Sequence, residues 1–333
     1  MLNILCVIQT VVPSTEISIV RPFVYLEQQG EIHWQLVTEE SFVPGLLDQV
    51  NVAVFHRNCH PNSRAVFDAV KAARIPVIYE IDDNYFEIPE NLPVGRYMRN
   101  PYVLATLEHL LRSADIVKIG SPEMLPLISK YNSQTVCHPY AVDLSLLRGV
   151  TAAPDRRFTI GYAGTVSHQP DLEFVIEPIQ RIAREFPHVY WEFVGCLPEG
   201  LKDLPRSSFT PFIHNYALFL QQLYQRSWRI GLCPMLDLPH NRCKTDNKLR
   251  EYGACRIPAI FSRIPPYSSL IKHGVTGMLA ENTGKAWYEA LKTLITDDKM
   301  RNNIGDQVRK WVEEQRSVPE VAKLWLGLFR RFG

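Results

Sequence analysis

The sequence predicts an α/β protein of two units, each a parallel sheet with crossover helices. Three observations carry that prediction. Short apolar runs alternate with stretches of helical period, as strands buried on both faces do. The apolar pattern lapses once, from Arg148 to Arg157, and then restarts with a new strand. At 333 residues the chain has room for two cores of roughly 150 residues each.

The elements follow in order. "NILCVI" (Asn3 to Ile8) opens the first sheet; it lacks the basic flank and small-residue cleavage site of a signal peptide and reads as a buried strand. Further strands are expected at His33 to Val37, Val52 to Phe55, Pro76 to Ile81, Asp115 to Gly120 and Thr135 to Pro139. A helix after Pro61 carries Val66, Phe67, Val70 and Ala73 at helical spacing, and Pro122 opens another where a first-turn proline fits. After the lapse, strands are expected at Phe158 to Gly164, Tyr190 to Gly195, Arg229 to Pro234, Pro258 to Ser262 and Gly277 to Ala280. This divides the chain into 1–150, 151–314 and a tail, 315–333, that crosses back to cover the first unit. Two such units leave a cleft, and the carboxyl ends of parallel strands are where ligands bind. The tail has Val321, Trp325, Leu328 and Phe332 on one face beside Arg330 and Arg331, so an interfacial membrane role stands as the alternative to packing.

Composition excludes several classes. Lys and Arg total 36 against 35 Asp and Glu, so no global field draws the protein to nucleic acid or anionic lipid. Any anion must be held by a local site. No run approaches the ~18 apolar residues of a membrane span. Seven cysteines without a C-x-x-C spacing suit a reducing cytoplasm, and the adjacent pairs Cys59-His60 and Cys137-His138 read as buried small hydrophobes rather than metal ligands.

The most informative stretch is "KTDNKLREYGACRIP", Lys244 to Pro258. It follows a strand and a polar loop, with Thr245 or Asp246 placed to cap a helix. Lys248 then lies in the first turn, where the helix dipole disfavours a cation and a bound anion would compensate. Lys248, Lys244 and the free N–H groups could grip a diphosphate while Glu251 accepts from ribose hydroxyls. An i,i+3 Lys248–Glu251 pair on a solvated face is the competing reading.

Asn241, Lys244, Asp246, Lys248, Glu251, Tyr252, Ala254 and Pro258 together resemble the donor-site motif of GT-B type glycosyltransferases, specifically the family 4 group with its bacterial cell-surface polysaccharide members. "IGYAGTVSHQPDLEFV", "WEFVG" and "IPPYSSLIKHGVTGMLAENTGKAWYEAL" resemble later pieces of the same fold, and "RIPVIYEIDDNYFEIP" a strand of its first domain. The resemblance implies two Rossmann-like domains facing each other across a cleft, the first binding a glycan or lipid-linked acceptor and the second a nucleotide-sugar donor. It implies a metal-independent hexosyltransferase that retains anomeric configuration and needs no cofactor, working in the cytoplasm with peripheral contact at the inner membrane face left open. Glu251 would hold the ribose, Lys248 with Asn247 the diphosphate, and Gly164 with Thr165 would let backbone approach the distal phosphate.

Departures from the pattern shift other roles. Cys243 stands where many members place a sugar-gripping glutamate, which leaves Lys244 or Asp246 to contact the sugar. "VPSTEIS" replaces a Gly-rich loop, so Ser14 and Thr15 become acceptor contacts. Lys248 is the expected catalytic cation, stabilising charge on the leaving diphosphate. Asp82 is expected to orient or deprotonate the acceptor hydroxyl and Asp83 to cap a turn, with Arg57 either reaching an acceptor phosphate or the donor diphosphate or pairing with a nearby carboxylate; an Asp82–Asp83 metal site and both aspartates as loop caps are the rival readings. His168 and Tyr216 are weaker donor-pocket candidates. The alternatives to transfer are a nucleotide-sugar epimerase on the same fold and a catalytically silent sugar-nucleotide or glycan-binding partner in polysaccharide assembly.

Overall fold

The computed structural model describes residues 1–152 and 157–332. Its contacts divide the chain into two compact units. The first holds Met1–Ala141, Cys243–Thr245 and Val318–Gly333, the second Val142–Arg242 and Asp246–Ser317. The chain therefore enters the second unit at Val142, ahead of the expected position 150, because Val142 N donates to Arg316 O and pairs with Ser317 in an isolated bridge. Of the run from Arg148 to Arg157 expected as linker, 153–156 lie outside the described residues.

The first sheet contains β1 (Leu2–Ile8), β2 (Ile32–Thr38), β3 (Val52–His56), β4 (Val77–Ile81), β5 (Ile116–Ile119) and β6 (Thr135–Cys137). All pairings are parallel and the order is β2-β1-β3-β4-β5-β6. β3, β4 and β5 are buried along their whole length, which is why their sequences run apolar instead of alternating. One face packs Leu5, Phe55 and Tyr79 against Phe67, Val70, Leu107 and Leu110 of the helices Pro61–Ala72 and Pro101–Ser113. The former helix starts with Pro61 behind His60, whose Nδ1 accepts from Asn62 N at 3.2 Å, and it closes before Ala73, which is exposed at the cap instead of buried on the apolar face. At Pro122 the chain makes only a 3-10 turn, Pro122–Met124, and one helical turn, Leu125–Ile128; Pro126 lacks the N–H a longer helix needs.

The tail helix Val318–Phe329 covers the other face. Trp325 and Phe329 meet Phe23 edge-on at 5.1 and 5.3 Å, and Trp325 Nε1 donates to Ser18 O at 2.8 Å. With Val321, Trp325 and Leu328 buried there, that apolar stripe is not free to lie on a membrane surface. Among the described residues no helix is long and apolar enough to cross a membrane.

The second sheet contains β7 (Phe158–Ala163), β8 (Val189–Val194), β9 (Ser207–Thr210), β10 (Ile230–Cys233), β11 (Ala259–Ser262) and β12 (Met278–Ala280), again all parallel, in the order β12-β11-β10-β7-β8-β9. Gly161 sits where a Cβ would fall 2.0 Å from the Trp228 indole, so glycine is what lets that ring lie on the sheet. None of the seven cysteines, all among the described residues, forms a disulfide; Cys137 is exposed, contrary to its reading as a buried hydrophobe. In each sheet the chain steps to one side of its first strand and later returns on the other. The switch points are therefore β1/β3 and β7/β10, where open α/β sheets hold ligands at the carboxyl ends of the strands.

Candidate active site

In the second unit, the β7/β10 switch point gathers the expected donor residues other than Lys244. After Cys233 the chain passes through a loop and a short helix, Pro239–Arg242, and enters the helix Asn247–Ala254 behind Asp246. Asp246 makes no side-chain cap. It is buried, and its carboxylate instead pairs with Arg250 Nε at 2.9 Å and Arg316 Nε at 2.7 Å. That engagement makes Asp246 an anchor of the helix start rather than a sugar contact. Asn247 is exposed at the helix opening, with its side-chain oxygen on Arg250 Nη2.

Lys248 is only 9% exposed, and among the described residues no carboxylate lies within ion-pair distance of its ammonium. The ammonium stands 5.7 Å from the Tyr162 ring centroid. Gly164 meets the same tyrosine, since a Cβ there would fall 2.4 Å from the Tyr162 hydroxyl, itself buried without a hydrogen-bond partner. Tyr162 thus brings Lys248 and Gly164 together. Thr165, half-buried, shares a 2.7 Å hydrogen bond with Ser167 at the following turn.

Glu251 is half-buried, and among the described residues its carboxylate has neither a hydrogen-bond nor an ion-pair partner; the Lys248–Glu251 pair of the competing reading is not formed. Burial raises its pKa from 4.5 to about 7, against the pull of Arg250 and Lys248. The folded chain therefore holds an extra proton between those values, and stability falls as pH rises through that window. Glu251→Gln is expected to raise the melting temperature relative to wild type above pH 7, with the difference fading toward pH 4.5. Thermal unfolding across that range checks it; a pH-independent difference would contradict the raised pKa.

Asp171 escaped the sequence reading. It is buried and accepts from His168 Nδ1 at 2.8 Å, Leu236 N at 2.8 Å and Asn241 Nδ2 at 3.1 Å, tying the loop after β7 to the loop after β10. Burial opposes its charge, but the His168 hydrogen bond leads the contacts that hold its pKa below the usual carboxylate range. His168 is thereby committed to Asp171, and Tyr216 is buried with its hydroxyl unpartnered.

In the first unit, Arg57 adopts the left-handed conformation with φ 62, uncommon for a bulky residue. Its Nη1 donates to Asp82 Oδ2 at 2.7 Å and to Ser14 Oγ at 2.9 Å, and the Tyr85 hydroxyl donates to Asp82 Oδ1 at 3.3 Å. Arg57, Asp82 and Ser14 therefore form one cluster, with the Asp82 carboxylate engaged by the guanidinium and by the Tyr85 hydroxyl. Burial disfavours the charge on Arg57; Asp82, Tyr85 and Asp83 overcome this and raise its pKa. Thr15 is fully buried, its hydroxyl accepting from Val12 N, so it shapes the turn instead of facing a ligand. Asp83 faces Lys244 at 3.6 Å, and Lys244 belongs to the first unit whereas Lys248 belongs to the second. With each aspartate facing a different cation, the pair does not form a shared metal site, and among the described residues no group of three or more His, Cys, Asp and Glu could hold an ion. Cys243 packs in the first unit's core, accepting from Asn84 Nδ2 at 3.7 Å.

Beside this cluster, His56, Glu80 and Lys118 stand in register on β3, β4 and β5 and are all buried. Glu80 Oε1 accepts from Lys118 Nζ at 2.5 Å, and Oε2 accepts from His56 Nδ1 at 2.9 Å and Ser18 Oγ at 3.0 Å. Burial would raise the Glu80 pKa; Lys118, then His56, hold it at about 2.

Residues 157–297 match the family model of glycosyl transferases group 1. No curated protein sequence matches the chain. Among solved structures, a glycosyltransferase from Rickettsia africae shares 12% identity over 99% of this chain and 98% of its own, with TM-score 0.74. HepE of Anabaena, solved with UDP-glucose, shares 15% identity over 99% and 100%, with TM-score 0.71. Sucrose-phosphate synthase of Thermosynechococcus elongatus shares 14% over 99% and 99%, with TM-score 0.68. The chain has the GT-B fold, two Rossmann-like domains, and residues 157–297 of its second unit match the glycosyl transferases group 1 model.

Proposed function

We propose that the protein transfers a hexose from a nucleotide-sugar donor to a glycan or lipid-linked acceptor, retaining anomeric configuration. The observation that carries this reading is the pair of unpartnered, opposite charges on one helix at the β7/β10 switch point, inside the segment that matches the family model: Lys248, buried, and Glu251, half-buried. A buried ammonium without a counter-ion is costly unless a ligand supplies one. A nucleoside diphosphate supplies it: the diphosphate on Lys248 and the N–H groups beginning at Asn247, the ribose hydroxyls on Glu251, and the distal phosphate against the backbone of Gly164 and Thr165. As the anomeric C–O bond breaks, charge grows on the leaving phosphate, and Lys248 stabilises it more than it stabilises the bound donor. In this reading lysine and helix dipole serve where other transferases use a metal. Arg57, Asp82 and Ser14 serve the acceptor, and HepE, solved with UDP-glucose, makes that donor the first to try.

Cys243, buried where a sugar-gripping glutamate would stand, favours a second reading as a silent nucleotide-sugar-binding partner. Screening UDP-, GDP-, TDP- and ADP-sugars for thermal stabilisation, then for transfer, separates the two. Stabilisation with turnover is expected; stabilisation without hydrolysis or transfer across a broad acceptor panel supports the silent reading, and conversion of donor alone an epimerase. No stabilisation by any of them rejects donor binding.

A further inference from the structure

Asp171 joins the loops on the two sides of the β7/β10 switch point. It lies on the short helix Gln169–Glu173, and at 4% exposure it is too enclosed to meet a ligand itself. Both of its oxygens are taken by protein donors. Oδ2 accepts from His168 Nδ1 at 2.8 Å, at the end of the turn that follows Gly164 and Thr165. Oδ1 accepts from Leu236 N at 2.8 Å and Asn241 Nδ2 at 3.1 Å, both beyond β10, and Asn241 Nδ2 also donates to Leu236 O at 3.0 Å. Three donors from two loops thus converge on one carboxylate.

Each loop is also fixed on its far side. Met235 N donates to Ser262 Oγ at 2.9 Å and Met235 O accepts from Asn282 Nδ2 at 2.8 Å, which holds the β10 loop toward β11 and β12. Gly164 N donates to Val194 O at 3.0 Å and His168 N to Thr165 O at 3.0 Å, which holds the β7 loop toward β8. Asp171 closes the remaining side. Burial opposes its charge, but His168, the Leu236 N–H and the Lys248 ammonium together keep it ionised, and hydrogen bonds to a charged acceptor are the stronger kind. The Lys248 contribution also shows that the ammonium lies within electrostatic reach of the clamp. We propose that Asp171 is a positioning residue of the donor site: by clamping the β7 loop to the β10 loop it fixes the backbone of Gly164 and Thr165 against which the distal phosphate of the donor rests. The phosphate rests on the nucleotide-sugar reading above; the clamp itself does not.

UDP carries that distal phosphate and UMP lacks it, so the ratio of their dissociation constants isolates the effect. Asp171→Ala is expected to cut the advantage of UDP over UMP roughly 10-fold while UMP affinity stays within about twofold of wild type, the scale of one displaced hydrogen-bonded contact. Asp171→Asn is nearly isosteric and keeps an oxygen for Leu236 and Asn241, so it should fold where the alanine variant does not and should lose less. Asn241→Ala removes one donor and leaves the carboxylate its other two, and its loss should also be intermediate. Equal losses for UMP and UDP, which a merely structural role gives, would overturn the proposal, as would a wild-type ratio in all the variants. Should wild type bind neither nucleotide, the donor reading has failed instead, and amide exchange of the ligand-free chain decides the clamp. Faster exchange of the His168 N–H in Asn241→Ala, a change made in the opposite loop, supports it; exchange at the wild-type rate there overturns it.

Discussion

Lys248→Ala is expected to lower transfer by roughly two to three orders of magnitude in kcat while leaving the fold intact, the loss typical of removing one preorganised donor from a developing anion. The effect follows from where the ammonium sits. It is 9% exposed and has no protein carboxylate in ion-pair distance among the described residues, so its desolvation is offset only when a diphosphate arrives. Stability should therefore move opposite to activity. Lys248→Met, which keeps the volume and removes the charge, should leave the ligand-free protein as stable as wild type or more so, and should reduce its stabilisation by nucleotide. Chemical denaturation with and without UDP measures both. Undiminished turnover in Lys248→Ala removes the residue from the mechanism.

The second large effect is structural. Lys118→Met should destabilise the first unit by about 3–5 kcal/mol, because Glu80 would remain in the core with its counter-ion gone. Both side chains are fully buried, and the ammonium also lies 4.2 Å from the Tyr140 ring centroid and 5.0 Å from that of Trp325. In wild type the Glu80 pKa is depressed from 4.5 to about 2, so its contribution is present above 4.5 and is lost as pH falls toward 2. Adding Glu80→Gln to Lys118→Met should recover much of the loss, since an amide carries no charge to bury. Urea midpoints of the single and double variants test this; a double variant no better than the single would show that packing, not charge, sets the cost.

Much of the fold was legible because it is local. Runs such as "VAVF" and "VIYEI" are apolar, Glu80 apart, because both faces are covered, and each becomes a central parallel strand. β9 was not anticipated: it is a short polar edge strand, Ser207–Thr210, with one buried neighbour, so its sequence carries no apolar signature. At the site, Lys248 and Glu251 were readable from a single helix opening, where a lysine conflicts with the dipole. Asp171 was not, because its partners Leu236 and Asn241 reach it only once β7 and β10 become neighbours. Asp246 illustrates the converse. Its position suggested a cap or a sugar contact, but Arg316, seventy residues on, claims its carboxylate. Glu80 and Lys118 did leave a trace, a lone charge in the middle of each of two apolar strands, which makes sense only if those strands are adjacent and in register.

The most direct measurement is a crystal structure of the protein with UDP. The predicted result places phosphate oxygens within hydrogen-bond distance of Lys248 Nζ and of the backbone N–H groups that open the Asn247–Ala254 helix, with the ribose hydroxyls on Glu251. UDP bound elsewhere in the chain, with Lys248 and Glu251 still untouched, would contradict it.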